Sequence, residues 1–177
     1  MIYQGNDISS RAINKLLGKP ITFNIFKPEV TGSPGLYLKE FTSVHNSNDQ
    51  LKIDSKCNFE KRPKGLLLRT NYSNILSVIA MHVNSISTIT LTKGIEVVEP
   101  RKYSPLWILL ELGIPLNIAR YVANGHEYSI EQLELVITSQ EYEFKFIASG
   151  YLFERHLNFF TSLNYDDILS IKLNKNH

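Results

Sequence analysis

The chain has 177 residues, 43% of them hydrophobic and 20% charged, the make-up of a folded globular protein rather than a disordered tail or fibrous repeat. Its net charge of +2 is too weak to argue for nucleic acid from charge balance, so any basic site must be local. The single cysteine, Cys57, excludes an intrachain disulfide and a cysteine-based zinc cluster, which suits a reducing compartment.

The N-terminal "MIYQGNDISSR" lacks the basic and apolar regions of a signal peptide. Residues 105–123 are the longest apolar region, but Glu111, Pro115, Asn117 and Arg120 interrupt it and argue against a spanning helix. A soluble, cytoplasmic protein is expected.

Ile8, Ala12, Ile13, Leu16 and Leu17 share a helical face, with Asp7 or Ser9 as N-cap and Gly18 just past the end. Short strands are expected next at "ITFNIF", "LYLKEF" and "LKIDSKC", separated by the turn-rich "TGSPG" and "HNSNDQ". After a "KRPKG" turn, "LLLRT", "NILSVIA" and "STITLTKG" have the close spacing of an antiparallel meander. In the last of these, Ile89 and Leu91 alternate with Thr88, Thr90 and Thr92, the pattern of a half-buried strand, while residues 83–86 fall out of phase as a turn or bulge.

A helical pair is predicted over residues 104–124. Ser104 can cap, Pro105 suits the first helical position and Gly113 the exit; a second segment opens at Pro115 and closes at Asn124 and Gly125. Strands resume as "LELVIT" and "YEFKFIA". An amphipathic helix over 150–163 then gathers Leu152, Phe153, Leu157, Phe159, Phe160 and Leu163 on one arc.

The meander, the "VNSISTITLTKG" turn and strand, two more strands and the aromatic-rich "YLFERHLNFFTSL" together resemble the pleckstrin-homology-like superfold, in its bacterial and GRAM-like variants, over residues 63–163. The resemblance implies an α+β fold: a bent antiparallel sheet or partly open barrel closed by a C-terminal amphipathic helix. An N-terminal extension over 1–62 would then precede a domain over 63–177 carrying the helical insertion. Members of that superfold are mostly binding modules for phosphoinositides, peptides or partner domains.

No catalytic or metal motif is present. His45, His82, His126, His156 and His177 show no metal-ligand spacing, and neither a metal nor a cofactor is expected. His156 lies within the apolar arc of the last helix and reads as a core-edge histidine with one hydrogen bond, in preference to a base. Glu131 with Glu134, and Asp166 with Asp167, read as solvated charges. Lys61, Arg62 and Lys64 form the one tight basic cluster, an anion-site candidate against a solvated turn. The "NYSN" loop offers no cation, with Arg69 alone beside it.

The first helix of the pair is apolar almost all round, so Trp107, Ile108, Leu110 and Leu112 are either internal core or a protein-binding face. The expected function is therefore a non-catalytic interaction module that binds a protein partner or itself. The alternatives are a peripheral membrane adaptor using the basic cluster, and a small enzyme of unidentified class.

Overall fold

The computed structural model describes residues 2–4, 9–22, 30–44, 51–73 and 75–174. The expected "ITFNIF" strand, from Phe23 onward, lies outside them. The elements are β1 (Ile2–Gln4), α1 (Ser10–Leu17), β2 (Leu36–Ser43), β3 (Lys56–Arg62), β4 (Gly65–Tyr72), β5 (Ile75–His82), β6 (Ile86–Lys93), β7 (Glu96–Val98), α2 (Pro105–Glu111), α3 (Leu116–Ala119), β8 (Tyr128–Ile130), β9 (Leu133–Ser139), β10 (Tyr142–Ala148), α4 (Phe153–Thr161) and β11 (Leu169–Leu173).

The fold is α+β. Nine strands form one sheet in the order β1-β5-β4-β3-β2-β10-β9-β6-β11, and β7 and β8 form a separate two-stranded ribbon. The large sheet is antiparallel except where β11 lies parallel to β6. β2, from the first 62 residues, pairs with both β3 and β10, so the early and late strands share one sheet and one core.

A short connection shows how far the sheet bends. β5 stands second and β6 eighth in strand order, six spacings apart, or roughly 29 Å in a flat sheet. They are joined only by the 3₁₀ turn Val83–Ser85, which spans at most about 14 Å from strand end to strand end. The sheet must therefore curl around its core, yet it does not close: β1 and β11 remain its edges. Nor does α4 end the fold as the resemblance implied, because β11 follows it.

Alternating side chains fill the concave face. Leu38, Phe59, Leu66, Leu68, Ile89, Leu91, Ile137, Phe144 and Phe146 all belong to this core, and α4 adds Phe153, Phe159 and Phe160. Thr88, Thr90 and Thr92 of β6 point away from it as the alternation requires, and the register slips between Ile86 and Thr88. On the convex face α1 lays Ile13 and Leu17 over Leu67 and Val78, which leaves β4 buried on both sides. Ser9 is its N-cap, its hydroxyl accepting from the Ala12 N–H at 3.3 Å, and Gly18 ends it with φ 85°. Leu16, expected on the apolar face, is exposed.

The expected strand "LKIDSKC" is displaced. Asp54 turns the chain at φ 61° and the Ser55 hydroxyl donates to the Lys52 carbonyl, so local Asp and Ser geometry displaces strand pairing until Lys56. The strand then runs through Arg62, which confines the "KRPKG" turn to Pro63 and Lys64.

The ribbon β7–β8 leaves the sheet at a tight junction. A Cβ at either Gly94 or Gly150 would overlap the Glu131 carbonyl oxygen, and at Gly150 also the Ile130 side chain. Gly150→Ala should therefore cost about 1–3 kcal/mol of stability in urea unfolding, as overpacked sites do. Gly125→Ala, whose added methyl meets open space, should stay within about 0.5 kcal/mol of the parent.

Candidate functional site

The helical pair forms as the sequence predicts. The Ser104 hydroxyl accepts from the Trp107 N–H at 3.1 Å, Pro105 occupies the first turn, and Gly113 exits at φ 77°. The second segment is α3 followed by the 3₁₀ turn Arg120–Val122. Glu127 ties the two ends of the insertion together. Its carboxylate accepts from the Arg101 N–H at 3.0 Å and the Asn124 N–H at 3.4 Å. The Ser104 hydroxyl and these backbone donors hold it below the usual carboxylate range.

Little of the pair is internal. Leu106 and Ala119 are buried, while Trp107 and Leu110 are half-buried. Ile108 is 44% exposed, Ile118 57%, Leu112 71% and Tyr121 80%. Tyr103, just before α2, is exposed, packs edge-on against Trp107 at 5.4 Å, and holds the left-handed φ of 68°.

Behind the pair, the insertion, the ribbon and the start of α4 enclose a cleft of about 450 Å³. Lys93 Nζ binds the Glu96 carboxylate at 2.7 Å and lies 5.9 Å from the centre of the Phe153 ring. Arg120 Nη1 donates to the Tyr128 hydroxyl at 3.2 Å, and its guanidinium lies over the Tyr121 and Tyr128 rings. Tyr151 meets Tyr128 edge-on at 6.4 Å, and its hydroxyl donates to the Tyr128 carbonyl. Glu96 sits below the usual carboxylate range because Lys93 hydrogen-bonds to it, with Arg120 and the Tyr128 hydroxyl adding to the effect.

The basic cluster does not converge. Lys61 and Arg62 are neighbours on a strand and so project to opposite faces. Lys61 Nζ donates to the Ser162 carbonyl at 2.7 Å, at the C-terminal end of α4. Buried Arg62 donates to Asn14 Oδ1 at 3.2 Å and to the Gly18 carbonyl, at the end of α1, and pairs with Glu60 at 2.6 Å. Each of the two cations thus meets carbonyls at a helix C-terminus, where the dipole favours positive charge. Lys64 is exposed in the turn, and Arg69 pairs with Glu60 at 2.8 Å.

His156 is fully buried, and neither ring nitrogen has a hydrogen-bond partner among the described residues, so the expected single bond is not there. Burial pushes its pKa down to about 4 and the Cys57 thiol up to about 12, so both are neutral at pH 7. Glu134 pairs with Lys145 at 3.0 Å; Glu131, Asp166 and Asp167 are exposed. Among the described residues no group of three His, Cys, Asp or Glu side chains is placed to hold a metal ion. No helix among them is long and apolar enough to cross a membrane.

Comparison of the chain with protein-family models, curated protein sequences and solved structures returned no match. The cleft is what sequence reasoning missed. Its residues come from β6, β7, the insertion, β8, the turn before α4 and α4 itself, and no spacing within the chain brings Lys93 to Tyr128 or Arg120 to Tyr151.

Proposed function

We propose that the chain is a non-catalytic interaction module that binds a protein partner, or a second copy of itself, through the helical pair. The observation that carries this reading is the exposure of Ile108, Leu112, Ile118 and Tyr121 together on one short insertion. Exposed aliphatic and aromatic side chains gathered in this way mark recognition surfaces more often than scattered surface apolar residues do. Tyr103 adds support: a left-handed φ on a bulky residue costs about 1–3 kcal/mol, and such strain gathers at functional sites. Beneath this surface, the concave sheet and the aromatic face of α4 support a pleckstrin-homology-like core, a frame suited to presenting binding loops.

Two variants test the reading, Trp107→Ala and the double change Ile108→Ser with Leu112→Ser. Each should weaken association about thirtyfold, as loss of a central hot spot does, and cost under about 1 kcal/mol of stability because these side chains are half-buried or exposed. Sedimentation velocity over a wide concentration range reads self-association, and a photoreactive side chain at position 112 reads a heterologous partner in extracts of the native cell. A protein that stays monomeric and captures no discrete partner, or in which Trp107→Ala is as destabilising as a core truncation, would remove the proposal and make the pair structural.

A further inference from the structure

The cleft behind the helical pair has the dimensions and chemistry of a small-molecule site. Its volume of about 450 Å³ falls within the range of ligand pockets, and much of its wall is aromatic. Within it, the two cations differ in what they have left to offer. Lys93 and Glu96 neutralise one another at 2.7 Å. Arg120 forms no ion pair among the described residues; it meets the Tyr128 and Tyr121 hydroxyls and two ring faces, and its charge also acts on Glu96.

We propose that this cleft binds a small planar ring carrying one oxyanion group, with Arg120 holding the oxyanion and Tyr128, Tyr151 and Phe153 contacting the ring. A guanidinium presents paired donors that match a carboxylate or a phosphate in two parallel hydrogen bonds. The Tyr128 hydroxyl takes one donor of that fork at 3.2 Å and the Tyr121 hydroxyl another, which leaves the remaining N–H groups to a ligand. Glu96 and Glu154, both carboxylates of the lining, act against a second anionic group, because an added negative charge would meet them, and this limits the ligand to one oxyanion. The tyrosines supply flat faces at little entropic cost, and Gly150 lets the 3₁₀ turn leading into α4, residues 150–152, lie directly against Ile130 at the back of the cleft. The site does not require the helical pair to bind a partner, so the two proposals stand or fall separately.

The test uses the full chain and four probes: adenosine monophosphate and indole-3-acetate as ring oxyanions, adenosine as a ring without an anion, and inorganic phosphate as an anion without a ring. At least one ring oxyanion should bind with a Kd below about 1 mM. Amide shifts should gather at residues 93–96, 120–130 and 150–154, and adenosine and phosphate should bind at least about tenfold more weakly. Arg120→Met should reduce that binding by about tenfold or more while Arg120→Lys keeps part of it, and Tyr151→Ala should weaken it with sheet amides unmoved. The proposal fails if neither ring oxyanion binds below about 1 mM, if the shifts map elsewhere, or if Arg120→Met binds as the parent does.

Discussion

Phe160→Ala should lower the free energy of unfolding by about 3–5 kcal/mol, comparable to the whole stability of many small domains. Phe160 is fully buried and meets Phe59 at 5.9 Å and Phe159 at 5.1 Å, both edge-on. Phe59 in turn lies edge-on to Phe146 at 5.3 Å, and Phe146 stacks on Phe144 at 5.8 Å. Phe160 is thus the link that joins α4 to a line of rings crossing from β3 to β10. Truncating it leaves a cavity that rigid neighbours cannot fill, and removes ring contacts worth about 0.5–1.5 kcal/mol each beyond their area. Urea unfolding of parent and variant reads the difference. A loss below about 1 kcal/mol would mean that α4 does not pack on the sheet as described.

The second large effect depends on pH. His156 is neutral when folded, with its pKa depressed to about 4 by burial, against an ordinary value of 6.5. The unfolded chain therefore takes up the proton first, so the stability linked to this group is fully present above pH 6.5 and is lost as pH falls towards 4. Across that window the loss should be about 3 kcal/mol. Comparing unfolding free energies of the parent and His156→Leu at several pH values isolates the histidine, since the other titrating groups are common to both. The variant should be no less stable than the parent at pH 7, because an unpartnered polar ring is exchanged for an apolar side chain, and should gain on the parent steadily as pH drops. Parallel curves from pH 7 to pH 4 would show that His156 is not desolvated.

These two residues also show what could be read from the chain alone. Periodicity was enough to place Phe160 on the buried arc of α4 and His156 within that arc, because a helix fixes direction every 100°. It could not tell whether the histidine would find a partner, since partners come from other elements, and among the described residues none is offered. The caps of α1 and α2 were equally legible: Ser9, Gly18, Ser104, Pro105 and Gly113 act within a few residues of themselves. Strand pairing was legible only between sequence neighbours: β4 with β5 and β9 with β10 pair as expected, but β6, expected to continue the meander, pairs with β9 instead of β5. β7 and β8 have three residues each, too few to show alternation, and β11 is largely exposed and so lacks the apolar signature of a strand. The basic cluster has a related limit: closeness in sequence does not place cations together, since a strand sends neighbouring side chains to opposite faces, and Lys61 and Arg62 reach different helices.

The ribbon that carries the helical pair has a bearing on how such a molecule can diversify. Val98 pairs with Tyr128, so the chain leaves and returns at nearly one point, and β6 pairs with β9 directly as though nothing had been inserted between them. The stem is further clasped by Glu127, which binds both its flanks. A segment anchored in this manner behaves as a cassette: its length and surface can be exchanged without altering a pairing in the nine-stranded sheet. Substitutions on the exposed side chains of residues 99–127 should then leave both the sheet pairings and the aromatic core unchanged.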